Sequence, residues 1–307
     1  MKEEFKTSIG GQAVIEGVMM RGPEESALAV RKPDGEIYLE TWENTSPSAW
    51  YRKAPFVRGV FNMISSLLQG YKCLMKSAEI AGFEDEEPTK FERWLADKFG
   101  KSIMSVVSVA ALVLGAGMAI GLFTILPSFL VGLIKNLLPS DMVRTIIEGI
   151  LKIFIFLGYL ALVSRMPDIR RVFEYHGAEH KTIACYEAGL PLTVENVQKM
   201  TRFHPRCGTS FILIVLVVSI LVFSLVTWSS TLMRVIIKLL LLPFVVGIAY
   251  EIIKYAGKHD NPITRVISAP GLWFQRMTTK EPDESQIAVA IASMEPVIPK
   301  EKGSDEW

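Results

Sequence analysis

The sequence predicts an α-helical membrane protein with about four transmembrane helices and a small N-terminal cytoplasmic region containing a β-hairpin, an α+β arrangement overall. Three observations predict it. Half of the 307 residues are hydrophobic and only 21% are charged, and the apolar ones gather in a few long runs. Two of those runs, Ser102 to Ile134 and Gly208 to Met233, contain no charged residue; about 20 residues suffice to cross a bilayer core. Residues 8 to 42 have the alternation and turn chemistry of strands instead.

Lys+Arg 33 against Asp+Glu 32 leaves a net charge of +1, so no global basic field exists to attract nucleic acid. Cys73, Cys185 and Cys207 are far apart and form no CxxC pair. That excludes a disulfide scaffold and fits a reducing, cytosol-facing environment. The opening MKEEFKTSIGGQ has no apolar core followed by a cleavage site and does not read as a secretory signal.

Within residues 1–55, a cytoplasmic β-rich region, QAVIEGVMM is followed by SALAVRK, the turn Pro33-Asp34-Gly35 and the alternating EIYLETW. Residues 56–101 hold amphipathic and interfacial helices and the acidic linker GFEDEEPTK. Phe56, Val60, Phe61, Ile64, Leu67, Leu68, Tyr71 and Met75 share one helical face, which suits either the membrane surface or packing against the hairpin. Residues 102–164 carry the first two spans. The second, Thr145 to Ser164, includes Glu148 and Lys152, which at i,i+4 can pair on one face.

Residues 165–207 form a cytoplasmic loop, and 208–255 hold spans three and four, the last with Lys238 and Glu251 near its ends. Residues 256–307 are a cytoplasmic segment with an interfacial anchor at GLWFQRM and a disordered tail. Loop charge supports four spans: the 165–207 loop carries Arg165, Arg170, Arg171, Lys181, Lys199, Arg202 and Arg206, whereas the link between the first two spans has only Lys135 and Arg144. Four crossings put all the basic segments on one side, with both termini cytoplasmic. The expected location is a cytoplasmic membrane, multi-pass, with membrane lipids as partners.

Chemistry concentrates in the 165–207 loop. Pro167-Asp168 starts a helix and Gly189-Leu-Pro191 stops it. On it His176 and His180 stand at i,i+4 with Cβ atoms about 6 Å apart, as a shared metal requires. HGAEH is a literal H-x-x-E-H, the inverted zinc motif in which the glutamate, here Glu179, acts as the base toward water. His204 and Cys207 follow in H-x-x-C, a metal-ligand spacing, immediately before the third span. Glu251, near the cytoplasmic end of the fourth span, is a further candidate ligand or base. A closed structural site would use His176, His180, His204 and Cys207; an open catalytic site would keep three ligands, the histidines, with Glu179 as the catalytic base. The bland readings are a solvated His pair, a buried thiol at a helix start, and a Glu251 paired with a cation.

GGQAVIEGVMMRGP, EYHGAEHKTIACYE, RFHPRCGTSF and LWFQRMTTKEPDESQIAVAIASM together resemble the YqhQ-like family of bacterial membrane proteins, over nearly the whole chain. That family is described as a domain of unknown function and as a predicted metal-dependent enzyme. The resemblance implies that Glu16, Arg21, His176, Glu179, His180, His204, Cys207 and Glu251 are to be tested as one site. Glu16 would then serve as a ligand or base and Arg21 as an anion holder, on a strand capping the site; a structural turn with an ion pair is the alternative. Two functions are expected. One is a membrane metal-dependent hydrolase with a divalent ion, zinc by preference, acting on a membrane-protein or lipid-linked substrate at the cytoplasmic interface. The other is a non-enzymatic assembly or regulatory protein with a structural metal.

Overall fold

A computed structural model describes residues 5–44, 54–83, 103–225, 231–259, 261–301 and 303–306. The chain begins with four strands, β1 (Gly10–Val14), β2 (Gly17–Arg21), β3 (Glu25–Arg31) and β4 (Ile37–Glu43), paired antiparallel in the order β1-β2-β3-β4. The β3–β4 turn is the predicted one: Gly35 takes φ +89, and the Gly35 amide donates to Lys32 O at 3.0 Å. The β1–β2 hairpin turns on Ile15-Glu16, with Glu16 at φ +50. The expected hairpin, β3–β4, is part of a four-stranded meander, because the apolar VMM run of β2 pairs on both sides.

Both faces of the central strands are covered. Val18, Met20, Ala27 and Ala29 face one apolar cluster and Val14, Met19, Leu28 and Val30 another. This is the period-2 alternation of a pleated sheet, used here with apolar residues on both sides.

Helix α1 (Val57–Ile80) covers the second face, with Cys73 in its cluster and Ser77 Oγ accepting from the Ile15 amide at 3.1 Å. Gly70 allows the contact, since a Cβ there would lie 2.2 Å from Gln12 Oε1. Helix α2 (Ile103–Ile120) runs through a π-turn (Gly121–Ile125) into α3 (Leu126–Leu133). Pro127, expected to kink or end this run, sits in the first turn after the π-turn, so the missing amide is absorbed where the hydrogen-bond ladder is already widened. Helix α4 (Asp141–Val163) is capped by Ser140 Oγ, which accepts from the Val143 amide.

Then come α5 (Pro167–Glu187), α6 (Val194–Gln198), α7 (Gly208–Ser224), α8 (Thr231–Lys258), α9 (Pro262–Thr278) and α10 (Glu284–Met294). Helix α5 starts and stops at the predicted punctuation, with Pro167 in its first turn and Gly189 at φ +67 beyond its end. Capping boxes at Asn261/Thr264 and Asp283/Gln286 start α9 and α10.

Among the described residues three helical stretches are long and apolar enough to cross a membrane: Val113–Leu133, Asp141–Val163 and Ile236–Lys258. The expected third span is a shorter apolar helix, Gly208–Ser224, and the rest of that run includes residues outside the described set. The expected Glu148–Lys152 pair does not form. Glu148 instead bonds Lys238 of α8 and accepts from Ser128 Oγ at 2.7 Å, because packing brings α3 and α8 to its face of α4.

The C-terminal segment also departs from expectation. Within residues 303–306, Asp305 is 1% exposed, accepts from Thr7 Oγ1 and Tyr186 OH, and Glu306 pairs with Thr7. A charged, apolar-poor tail reads as solvated by composition; here hydrogen bonds from Thr7, before β1, and from Tyr186 hold Asp305.

Candidate metal centre

Helix α5 carries His176 and His180 on one face, with ring centroids 4.5 Å apart. Gly177 between them is set by packing. A Cβ there would lie 2.0 Å from Lys280 O, so only glycine lets the chain after α9 cross α5 at this point. That crossing brings the last residue of α9 to the site, and Thr278 O accepts from His176 Nδ1 at 2.8 Å. On the other side Arg202 O accepts from His180 Nδ1 at 2.6 Å. A carbonyl can only accept, so both Nδ1 atoms carry protons in these bonds. The tautomers are thereby fixed with the Nε2 side of each ring left over.

Cys207 is what the rings meet. It is the N-cap of α7, where Thr209 N donates to its sulfur at 3.4 Å, and its Sγ lies 3.2 Å from His176 Nε2. One ligand atom from each of His176, His180 and Cys207 falls within 4.8 Å of the others. Tetrahedral zinc with bonds of about 2.3 Å to sulfur and about 2.0 Å to nitrogen separates such donors by roughly 3.5 Å. The donor set therefore fits an ion of this class. Its outer hydrogen bonds, imidazole N–H to backbone carbonyl, are those that orient metal-bound histidines. Burial alone opposes charge at both groups. The neighbouring sulfur nevertheless raises His176 to about 9, and the two imidazoles hold the Cys207 thiol well below its usual range. A thiolate is the form that binds metal.

Glu179 is buried beside them. It accepts from the Gly11 amide of β1, and a Cβ on Gly11 would sit 3.0 Å from the Glu179 carboxyl carbon. Burial pushes its pKa up, with His180 and His176 pulling the other way. His180 and Cys207 are buried, while His176 is half-buried. Thr278 Oγ1 is buried without a hydrogen-bond partner, an open valence on the residue that orients His176.

The other expected site residues lie elsewhere. His204 lies near His180 with centroids 5.6 Å apart and the rings tilted, but its Nε2 faces Glu187 Oε2 at 3.5 Å and Arg206 Nη2 at 3.2 Å. Gln275 clamps the His204 backbone, donating to its carbonyl at 2.7 Å and accepting from its amide at 2.8 Å. Glu16 pairs with Arg171 and accepts at 3.1 Å from the OH of Tyr175, the residue before His176 on α5. Arg21 reaches Gln69 of α1 at 3.4 Å, and Glu251 bonds Arg58 and the Phe56 amide where α1 crosses α8. So the strand that caps the site does it with the Gly11 backbone, and the Glu16 side chain is the ion-pair alternative.

Sequence reading missed the carbonyls of Thr278 and Arg202, the Gly11 amide, Gln275 and Glu187. Backbone groups carry no side-chain signal, although the GG of β1 hinted at a close approach.

Comparison with known proteins now decides the family. The model of a family described as "Protein of unknown function (DUF1385)" matches residues 54–300. The chain belongs to that family. "Uncharacterized protein YqhQ" of Bacillus subtilis (strain 168) is 37% identical over 309 aligned residues, covering 99% of this chain and 96% of that protein. No solved structure matches. The DUF1385 match spans α1 to α10 and so contains every donor of the cluster, whereas Gly11 lies before it.

Proposed function

We propose that this DUF1385 protein is an integral-membrane metal-dependent hydrolase, with a zinc-type ion held by His176, His180 and Cys207 at the cytoplasmic membrane interface. The observation that carries the reading is the use of both Nδ1 atoms by carbonyls, which turns two Nε2 atoms toward one low-pKa sulfur. Three protein donors leave a coordination position for water or substrate, the pattern of catalytic rather than closed sites. When bound, such an ion supplies Lewis acidity toward a carbonyl and acidifies water.

The chain's own residues do the rest. Thr278 and Arg202 carbonyls hold the rings. Glu179, with its pKa raised by burial, takes a proton from the attacking water and returns it to the leaving group of a peptide or ester bond. Glu187 and Arg206 keep His204 out of the ligand set, which supports an open site.

Membrane insertion is supported by the three long apolar helices and the shorter α7. With α7 counted, four crossings return the chain to its starting side. The pairing of Thr7 with Glu306 fits that count. Substrates presented at a membrane, membrane proteins or lipid-linked molecules, suit a site at the mouth of these helices.

A structural ion is the second reading, favoured by the burial of His180 and Cys207. Elemental mass spectrometry and hydrolysis of fluorogenic peptide and ester substrates by the reconstituted protein separate the two. Under the first reading, Glu179→Gln keeps the zinc and loses turnover. If instead neither wild type nor variant hydrolyses any substrate and zinc removal only lowers the melting temperature, the structural reading stands. A wild type that takes up no zinc overturns both.

A further inference from the structure

Two helices outside the spanning set present apolar stripes that no other part of the described chain covers. On α1, Ile64, Leu67, Leu68, Tyr71 and Met75 are all exposed, Leu67 by 64%. On α9, Ile263, Val266 and Trp273 are exposed by 68%, 73% and 53%. Spacings of three, four and seven put the members of each set on one helical face.

The opposite faces are already committed. Helix α1 gives Gly70, Cys73 and Ser77 to the sheet. Helix α9 gives Gly271 to Ser210 of α7, and Phe274 to Leu160 and Leu213. The stripes therefore cannot turn inward without losing a packed face.

The occupant is indicated by what the stripes continue. Phe56, just before α1, stacks on Phe244 of α8 with centroids 6.3 Å apart, and both rings are about half exposed, 46% and 55%. Beyond Phe244 the outward surface of α8 is Leu239, Leu240 and Leu242, all exposed, on a helix long enough to cross a bilayer. At this crossing Gly59 packs on the Tyr250 side chain and Gly247 on the Phe56 backbone, so both glycines permit a close approach. Helix α9 begins four residues after Lys258, the last residue of α8, so its stripe emerges at the same end of the same helix. The Arg58–Glu251 pair lies about two turns of α8 before that end, on the approach from hydrocarbon to headgroups. Tyr71 and Trp273 are the side-chain types that headgroup regions favour, and exposed Lys72 can lay its stem along the stripe with its ammonium in water.

We propose that α1 and α9 lie in the plane of one leaflet, both stripes sunk to the headgroup–acyl boundary around the cytoplasmic end of α8. The inference rests on the membrane reading above and extends it. It turns α1 from a cover for the sheet into the part that pins the sheet to the bilayer. It also roots the metal centre there, because α9 ends at Thr278 and α7 starts at Cys207.

The test uses the full chain in vesicles of phosphatidylcholine and phosphatidylglycerol, with a nitroxide label on one introduced cysteine at a time. The native cysteines are buried, and the parent protein gives the labelling background. Leu67→Cys and Val266→Cys are the test positions, with Leu68→Cys and Ile263→Cys as neighbours should either fail to fold. Leu240→Cys reports the span and Glu36→Cys the aqueous phase. At the test positions oxygen should relax the label several-fold more than a water-soluble nickel chelate, as at Leu240 and opposite to Glu36. Aqueous behaviour at the test positions with lipid behaviour at Leu240 overturns this inference alone. Aqueous behaviour at Leu240 too overturns the membrane reading beneath it. Labels immobilised and shielded from both reagents mean that protein, such as a second copy, covers the stripes, which also overturns the proposal.

Discussion

At the His176–His180–Cys207 cluster, buried groups spend their outer valences on backbone carbonyls and keep their inner ones facing each other. Between α3, α4 and α8, Glu148 is buried just as deeply, but Lys238 and Ser128 use it up directly. Both regions bear the desolvation cost of titratable groups. Only in the first do the groups meet as potential metal donors, two imidazoles and a thiol within 4.8 Å of one another. Burial of charge therefore does not by itself mark a candidate site; the convergence of donor types does.

The largest expected effect breaks or keeps this contrast at once. His176→Ala, His180→Ala and Cys207→Ser should each take bound zinc from about one per chain to background, while Glu148→Gln and Lys238→Met leave it unchanged. Elemental analysis of purified protein reads both, and zinc loss in the Glu148 variant would erase the distinction.

Next comes the closed pair itself. Lys238→Met alone should destabilise by about 3–5 kcal/mol, since it strands a buried carboxylate, and Glu148→Leu added to it should recover most of that loss. Thermal unfolding in detergent gives both values; simple additivity would mean that the two groups do not act as a unit. Gly177→Ala sharpens the other side. Its Cβ would push on Lys280 O, costing about 1–3 kcal/mol by overpacking. By shifting Thr278, the same variant should weaken zinc binding on the order of tenfold, which competition with a chelator measures.

His204 tests the boundary of the cluster, so His204→Gln should keep its zinc. Burial works against the Glu187 carboxylate, but His204, Arg206 and the Thr7 amide lower its pKa from the usual 4.5. A folded pKa below the unfolded one adds stability that is full above about 4.5 and fades as pH falls through the lower folded value. Acid unfolding of Glu187→Gln should therefore be flatter below pH 4.5 than that of wild type. Smallest of all, His259→Ala should stay within about 0.5 kcal/mol of wild type, as expected for an exposed ring stacked on Tyr255.

Much of the local structure was legible because it rests on short-range rules. Pro33-Asp34-Gly35 makes its turn through one positive φ, and Pro167 and Gly189 bound α5 by what their backbones allow. Periodicity placed His176 and His180 together and put Phe61 to Met75 on one face. The amphipathic α1 was readable as a helix for the membrane surface or for the hairpin; its two faces differ, with Cys73 and Ser77 against the sheet and Leu67 outward.

Partner choice across the chain was not legible. His204 and Cys207 share one motif, yet the reach of Glu187 and Arg206 takes His204 away while Cys207 stays. Glu148 had a cation at i+4 and took one from another helix. By itself the sequence determined the helices, the turns, the apolar runs and the His pair with its neighbouring glutamate, because each depends on residues within a few positions of one another. Which donors converge, which carbonyls fix their tautomers and which charges cancel was decided only by the tertiary structure. Those contacts join residues as far apart as Gly11 and Glu179 or His176 and Thr278, and they depend on how whole helices cross, through glycines that no local rule requires.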